Sequence, residues 1–497
     1  MAVHKLSDAT KAWLADPVPF RIGGMPVAEG EIRALINPAT GAEFASVCAG
    51  TADHVDRAVG AARDAFGSGA WANMNPTLRA RIMWRLADLI EEHAEELGEL
   101  ETLCMGKPFV AASKMEVPFF AETFRYYAGY CTKIAGQSGA LSFPVGDLHG
   151  MTFHDPVGVV GMILPWNGPL VIGGWKIAPA LATGCTMVIK PADITPLSLL
   201  RFAELAAEAG VPDGVINIVT GPGSVVGAAI ASHPEINKLA FTGSTGVGRG
   251  LVHASADSNL KKLSLELGGK SPIVVFPDAD LDAAVNGAAD AIFGNSGQVC
   301  VAGSRLYVNN DIREEFTARL ADKARSLKMG DPFDDTTDLG PVSSHGHCAD
   351  IARRVTEGQS LGADLVCGGA PVAGDGAFFP PTILAVDDQT NPLVQEEIFG
   401  PVLAVRGFDT EDEAIALANG TDYALAGSVW TKDIDRALRM SRAIYAGIVW
   451  VNIHNIPDLH MPIGGHDQSG WGRELGQQGL SEYLQTKSVM ISIAGKD

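Results

Sequence analysis

Residues 294–303 read GNSGQVCVAG and hold one cysteine, Cys300, between Val299 and Val301. A thiol among small and polar residues is open to substrate, and as a thiolate it attacks carbonyl carbon. Most cysteines are packing groups instead, so chemistry at Cys300 needs partners. Glu266 of LELGGK (265–270) sits inside an apolar strand. A carboxylate there is costly unless paired or functional, and desolvation raises its pKa toward the range of a general base. Asn167 of LPWNGP (164–169) follows an apolar run, where its amide could donate to a developing oxyanion. The blander roles are a hydrogen-bonded structural carboxylate for Glu266 and an Asx-turn or cap for Asn167.

Two further stretches suit a phosphorylated, hydroxyl-bearing ligand. Lys190 and Asp193 of KPAD (190–193) end a β-rich run and could hold ribose hydroxyls at a sheet's carboxyl edge, or form a solvated pair. FTGSTGVG (241–248) places Gly243 and Ser244 between a strand and a helix, where the helix N-terminus can receive phosphate. Its spacing is not GxGxxG, and packing glycines would look the same.

These residues need a scaffold that brings distant strand ends together. VVGMILPW (159–166), TMVIKP (186–191), VINIVTG (215–221) and KLAFTGS (238–244) read as strands, each followed by a helical run. A second strand–helix series starts near Leu267 with SPIVVF and runs to AGIVWVN (446–452). This alternation predicts α/β architecture with parallel sheets, the first series being a nucleotide-binding unit. The segments at 140–160 and 487–493 read as strands apart from both series. An apolar strand near the chain end predicts pairing with another subunit, with 140–160 as the complementary surface.

Composition narrows the partners. The 497 residues predict two or three domains. A net charge of −21 repels phosphate backbones and anionic lipid, so neither nucleic acid nor a membrane is an expected partner. The N-terminal stretch lacks an apolar h-region, and no run approaches a membrane span. Cys48, Cys104, Cys131, Cys185, Cys300, Cys348 and Cys367 form no CxxC pair. Free thiols in a reducing, cytoplasmic setting are expected, with no disulfide framework or zinc site.

In order, PWN, KPAD, FTGSTGVG, LELGGK, GQVC, EEIFGPV and QSGWGRELG resemble the NAD(P)-dependent aldehyde dehydrogenases from about residue 20 to the C-terminus. The resemblance implies a Rossmann-like NAD-binding domain (1–132 and 157–266), an α/β catalytic domain (267–470) and a small β oligomerisation extension (133–156 and 478–497). It implies Cys300 as nucleophile, Glu266 as general base, and Asn167 with the Cys300 N–H as oxyanion hole. Trp166, Lys190, Asp193, Gly243, Ser244 and Leu267 would contact NAD. Glu397 and Phe399 would hold its nicotinamide end, and Gly223 of GPGSVVG would lie near the adenine. The implied substrate is an aldehyde, a small-molecule partner, and the implied state a homodimer or homotetramer.

The departures from the family pattern concern specificity. Asp193 stands where the family usually has Glu; an acidic group there favours NAD over NADP, less strongly with the shorter side chain. Gly168, Gly294 and Ile463 replace aromatic residues common in relatives, while Trp175 remains and Val299 and Val301 flank the nucleophile. A roomy apolar tunnel is expected, for a bulky aromatic or a medium-to-long aliphatic aldehyde. HMPIGGHDQSGWGRE is similar to enzymes acting on arylacetaldehydes. His454, His460 and His466 match no ligand spacing, so no metal is expected and they should line the tunnel mouth or face solvent. Asp467 stands where the family commonly has Lys. The competing readings are a CoA-acylating enzyme, which typically lacks a base like Glu266, a non-redox thiol hydrolase, and a catalytically silent scaffold.

Overall fold

The computed structural model describes residues 4–142 and 147–493. Residues 1–3, 143–146 and 494–497, parts of the segments assigned above to cofactor binding and oligomerisation, lie outside the described residues.

Strands Val159–Ile163, Thr186–Lys190 and Lys238–Thr242 are buried at every position. Near-continuous apolar strands of this kind suit a parallel sheet covered on both faces. Val159–Ile163 is the central strand. From it the chain steps outward through Thr186–Lys190 to Ile216–Ile218, then returns to the other side with Lys238–Thr242 and Lys262–Glu266, all parallel. The order reverses between Val159–Ile163 and Lys238–Thr242, which opens a crevice beyond their carboxyl ends, where ligands bind in such sheets. Phe20–Ile22 and Met25–Val27 extend one edge antiparallel. At the other edge the two-residue strand Gly470–Trp471 pairs with Lys262–Glu266. Residues far along the second series thus return to the first sheet.

The second sheet is mixed. Thr382–Ala385, Val402–Phe408, Arg305–Asn309, Pro272–Val275, Ala426–Trp430 and Ile448–Val451 run parallel, with Asp364–Cys367 antiparallel at the edge. Each sheet has its own apolar core. The link Leu267–Ser271 leaves the carboxyl end of Lys262–Glu266 and enters the amino end of Pro272–Val275. Cys300 precedes Arg305–Asn309, and Glu397 and Phe399 precede Val402–Phe408. The first sheet therefore offers its carboxyl ends to the crevice and the second its amino ends.

A third sheet is antiparallel: Leu484–Ile493, Asp147–Pro156 and Ser138–Ala140. This corrects the expectation that 140–160 waits for another subunit's terminal strand. Leu484–Ile493 pairs along its whole length with Asp147–Pro156 of the same chain. Its other edge has no strand partner among the described residues. Among the described residues no helix is long and apolar enough to cross a membrane.

Candidate active site

Asp280 caps helix Leu281–Phe293, accepting from Ala283 N–H at 3.2 Å, and the helix ends at Gly294. Asn295, Ser296 and Gly297 then take left-handed backbone, with φ of 51°, 53° and 72°. Two of the three are not glycine, so the turn is strained and must be held. Ser296 Oγ donates to Gly340 O at 2.8 Å, and Asn295 Nδ2 donates to Asn167 O at 3.3 Å and Gln298 O at 3.2 Å. Gln298 Oε1 accepts from Ser343 N–H at 2.8 Å. A Cβ at Gly297 would stand 2.1 Å from Gly400 O, so the backbones touch there.

This turn delivers Cys300 half-buried. Its carbonyl packs on Gly269, where a Cβ would come within 2.4 Å. Burial pushes its thiol up to about 12, and Glu397, Glu266 and Glu474 push the same way in that order. The thiol of the free protein is therefore neutral at ordinary pH.

Asn167 is buried and reaches the Cys300 turn directly, Nδ2 donating to Gln298 O at 3.0 Å. An amide nitrogen carries two hydrogens, so one is left for the space that Asn167 and Cys300 both line. The Asn167 main-chain carbonyl accepts from Lys107 Nζ at 3.4 Å; the same buried ammonium is paired with Glu101 and Glu116. Glu266 is the last residue of its strand and does not line that space. Its Oε1 is buried without a hydrogen-bond partner among the described residues, beside Gly464, where a Cβ would lie 2.8 Å away. Burial, then the neighbouring Glu474, holds its carboxyl well above the usual range. Glu474 in turn accepts from buried Lys176, whose Nζ also donates to Thr242 Oγ1 at 2.6 Å.

A cavity of about 560 Å³ runs from Cys300 along the crevice of the first sheet. Trp166, Lys190, Asp193, Gly223, Gly243, Ser244, Leu267, Glu397 and Phe399 all line it. Lys190 Nζ donates to Asp193 Oδ1 at 2.5 Å and to Pro191 O at 2.9 Å. Ser244 caps helix Thr245–Ala256, its side chain accepting from Val247 N–H at 3.4 Å. Glu397 accepts from Gly269 N–H at 2.9 Å, and burial pushes it up to about 7. Phe399 is left-handed at φ 59°, and its ring meets Trp166 edge-on at 5.3 Å. Sequence reasoning missed Ile194, Val247 and His347 on the cavity wall. Val247 sits inside FTGSTGVG and Ile194 directly after KPAD, but neither is polar enough to stand out there; His347 belongs to no such motif, and only the fold brings it across.

On the other side of Cys300, Trp175, Val299, Val301 and Ile463 share one apolar cluster with it, together with Leu425, Trp450 and Leu475. Val301 and Ile463 are deeply buried in that cluster. Gly168 and Gly294 stand outside it. Gly168 precedes helix Pro169–Thr183, and a Cβ there would meet only Ile172, at 3.5 Å. Gly294 is exposed, and a Cβ there would meet nothing within 4 Å.

Of the three histidines, His454 corrects the expectation. His454 neither lines a mouth nor faces solvent: it is buried between Ser428 Oγ and Val301 O, each at 2.8 Å. Burial lowers its pKa to about 4, so it stays neutral. His460 is exposed beside Asp458, and His466 stacks on Tyr445. The three have separate partners. Asp467 pairs with Tyr423 in a two-residue strand, with left-handed backbone at φ 51°; nothing in the structure explains an Asp there.

The model of the Aldehyde dehydrogenase family matches residues 27–489. The human cytosolic 10-formyltetrahydrofolate dehydrogenase is 43% identical over 479 residues, 95% of this chain and 53% of that protein. The chain thus spans about half the length of the 10-formyltetrahydrofolate dehydrogenases it matches. An NAD+ complex of an aldehyde dehydrogenase from Bacillus cereus superposes with a TM-score of 0.96 at 43% identity, over 99% of this chain and 100% of that one. An indole-3-acetaldehyde dehydrogenase complexed with NAD+ gives 0.94 at 39% identity, over 98% and 100%. The chain belongs to the aldehyde dehydrogenase family.

Proposed function

We propose that this protein oxidises an aldehyde to its carboxylate with NAD, using Cys300 as nucleophile, and that residues 267–470 carry the nucleophile while 1–132 and 157–266 bind the cofactor. The observation that carries the reading is the single cavity at the sheet's switch point that ends on Cys300. Its donors suit a dinucleotide. The N-terminus of helix Thr245–Ala256 can receive phosphate, and Lys190 with Asp193 can hold ribose hydroxyls. Ile194 and Val247 offer apolar walls near Gly223, and Trp166 and Phe399 form an aromatic corner near Cys300. Bound there, NAD supplies the hydride acceptor.

The chain's own residues do the rest. Cys300 gives its thiol proton to Glu266, which passes it on to solvent; Sγ then bonds to the carbonyl carbon, and the oxygen takes the C=O π pair as a thiohemiacetal oxyanion. The free N–H of Asn167 and the Cys300 backbone N–H donate to it. Loss of hydride leaves a thioester on Cys300. Glu266 takes a proton from water, the water oxygen attacks the thioester carbon, and the C–S bond breaks to release carboxylate and regenerate the thiol. To do so Glu266 swings from its place beside Gly464 toward Cys300. Its raised pKa suits a group that must both accept and return a proton.

Asp193 disfavours a 2′-phosphate, but its ion pair with Lys190 leaves part of its charge neutralised, so NADP is disfavoured modestly. The open space at Gly294, the missing side chain at Gly168 and the apolar cluster at Trp175 support a bulky aromatic or medium-to-long aliphatic aldehyde. The similarity to an indole-3-acetaldehyde dehydrogenase points the same way. All seven cysteines are free, which supports a cytoplasmic setting, and the unpaired edge of Leu484–Ile493 supports a homo-oligomer.

The test is NADH formation with acetaldehyde, hexanal and phenylacetaldehyde, with and without CoA. Wild type should turn over with NAD faster than with NADP, favour the two larger aldehydes in kcat/KM, and ignore CoA; Cys300→Ala should be inactive. Product without NAD would favour a hydrolase, a requirement for CoA the acylating reading, and no turnover of any aldehyde a silent scaffold.

A further inference from the structure

We infer that His347 is a positioning residue that holds Phe399, and with it the aromatic corner of the cavity, in place for the cofactor. The inference rests on reading the cavity as the cofactor site. Phe399 is a bulky residue in left-handed backbone, which persists only when its surroundings impose it. His347 Nε2 lies 2.8 Å from the Phe399 carbonyl oxygen. A carbonyl only accepts, so Nε2 carries the proton and donates. The His347 ring also meets Trp166 edge-on, with centroids 5.7 Å apart and planes at 70°. Trp166, His347 and Phe399 thus brace one another, and all three line the cavity.

The placement of His347 is itself fixed. It lies in the first turn of helix His345–Ser360, and its backbone N–H donates to the capping Ser344 Oγ at 3.1 Å. The stretch just before it holds the nucleophile turn: Gly340 O accepts from Ser296 Oγ, and Ser343 N–H donates to Gln298 Oε1. One short segment, 340–347, therefore ties the turn carrying Cys300 to the loop carrying Phe399. It does so alongside the direct backbone contact of Gly297 with Gly400. Burial lowers the pKa of the His347 ring and favours its neutral form; the hydrogen bond to the Phe399 carbonyl and then Asp350 oppose that, and Arg354 reinforces it.

The test is NAD binding to the enzyme without aldehyde, read by quenching of intrinsic tryptophan fluorescence, for wild type, His347→Ala and His347→Gln. Thermal midpoints establish that each is folded. His347→Ala should weaken NAD about tenfold, since the Phe399 carbonyl loses its donor. His347→Gln keeps a donor and should stay within about twofold of wild type. In turnover, His347→Ala should raise KM for NAD more than it lowers kcat. If His347→Ala does not fold, His347→Gln decides: binding as weak as a tenfold loss overturns the inference. NAD binding by His347→Ala equal to wild type also overturns it. If wild type binds no NAD, the cofactor reading falls first and this inference with it.

Discussion

A thiol whose pKa stands at about 12 is a weak nucleophile until something lowers it. The cause is local: burial, then Glu397, Glu266 and Glu474, against which the Val301 backbone N–H pulls the other way. The sign follows from the direction of the shift. A raised thiol pKa keeps Cys300 protonated through the neutral range, and the thiolate fraction grows with every unit of pH below 12. Alkylation of Cys300 by iodoacetamide in the cofactor-free protein, followed on its own peptide, should speed up about tenfold per pH unit from pH 7 to 10. An ordinary cysteine would level off above about 8.5. Glu397→Gln removes the largest of the three charges and should raise the rate at pH 8 several-fold. A plateau below pH 9 in the wild type would show that the sulfur is less shielded than its surroundings imply. At this scale the sequence was most legible where residues sit in contiguous motifs: Cys300, Asn167 and the cavity-lining set. It was least legible where the role depends on what packs from afar. Nothing near His347 or His454 announces that one braces Phe399 and the other is buried against Val301. Nor does LELGGK reveal that Glu266 turns toward Gly464 and Glu474, away from the cavity.

At the scale of elements, the alternation of strand and helix was read from periodicity because buried parallel strands are nearly all apolar and their helices are amphipathic. What periodicity cannot register is a three-residue reversal. Asn295–Gly297 carries no hydrophobic pattern, yet its left-handed path aims Cys300. Gly297 is the tightest point, with φ 72° and Gly400 O 2.1 Å from where a Cβ would stand. Neither atom is the end of a flexible side chain, so the backbone must move. Gly297→Ala should destabilise the protein by about 2–4 kcal/mol, from the strained φ and the clash together. It should also cut kcat at least about a hundredfold, because a displacement of about 1 Å at the reacting group costs that much. Thermal denaturation and steady-state kinetics check the two parts. Wild-type turnover by a folded Gly297→Ala would mean that the turn does not set the position of the sulfur.

For the whole molecule, the site exists because two sheets meet end to end. One contributes carboxyl ends and a helix N-terminus, the other amino ends and the Cys300 turn, and Leu267–Ser271 joins them. The two series were legible, but Gly470–Trp471, only two residues long, gives no strand signal, and so its return to the first sheet was not. The third sheet touches the first core through Leu484, and among the described residues one of its long edges has no strand partner. Leu484–Ile493 presents ten residues, with Met490, Ile491 and Ile493 exposed by 73%, 42% and 52%. A long apolar edge with unpaired backbone groups is a template for pairing, and natural chains blunt such edges unless they use them. Here Lys487 is the one charge in the strand, and it is paired with Asp155. The edge should therefore be covered by a second copy. Light scattering coupled to size exclusion should show wild type as an oligomer. Met490→Asp with Ile491→Asp, one charge on each face of the strand, should shift it to a smaller species. Because both side chains are exposed and belong to neither main core, those cores should keep their thermal stability in that variant. An unchanged mass would place the subunit contact on another surface and leave this edge bare.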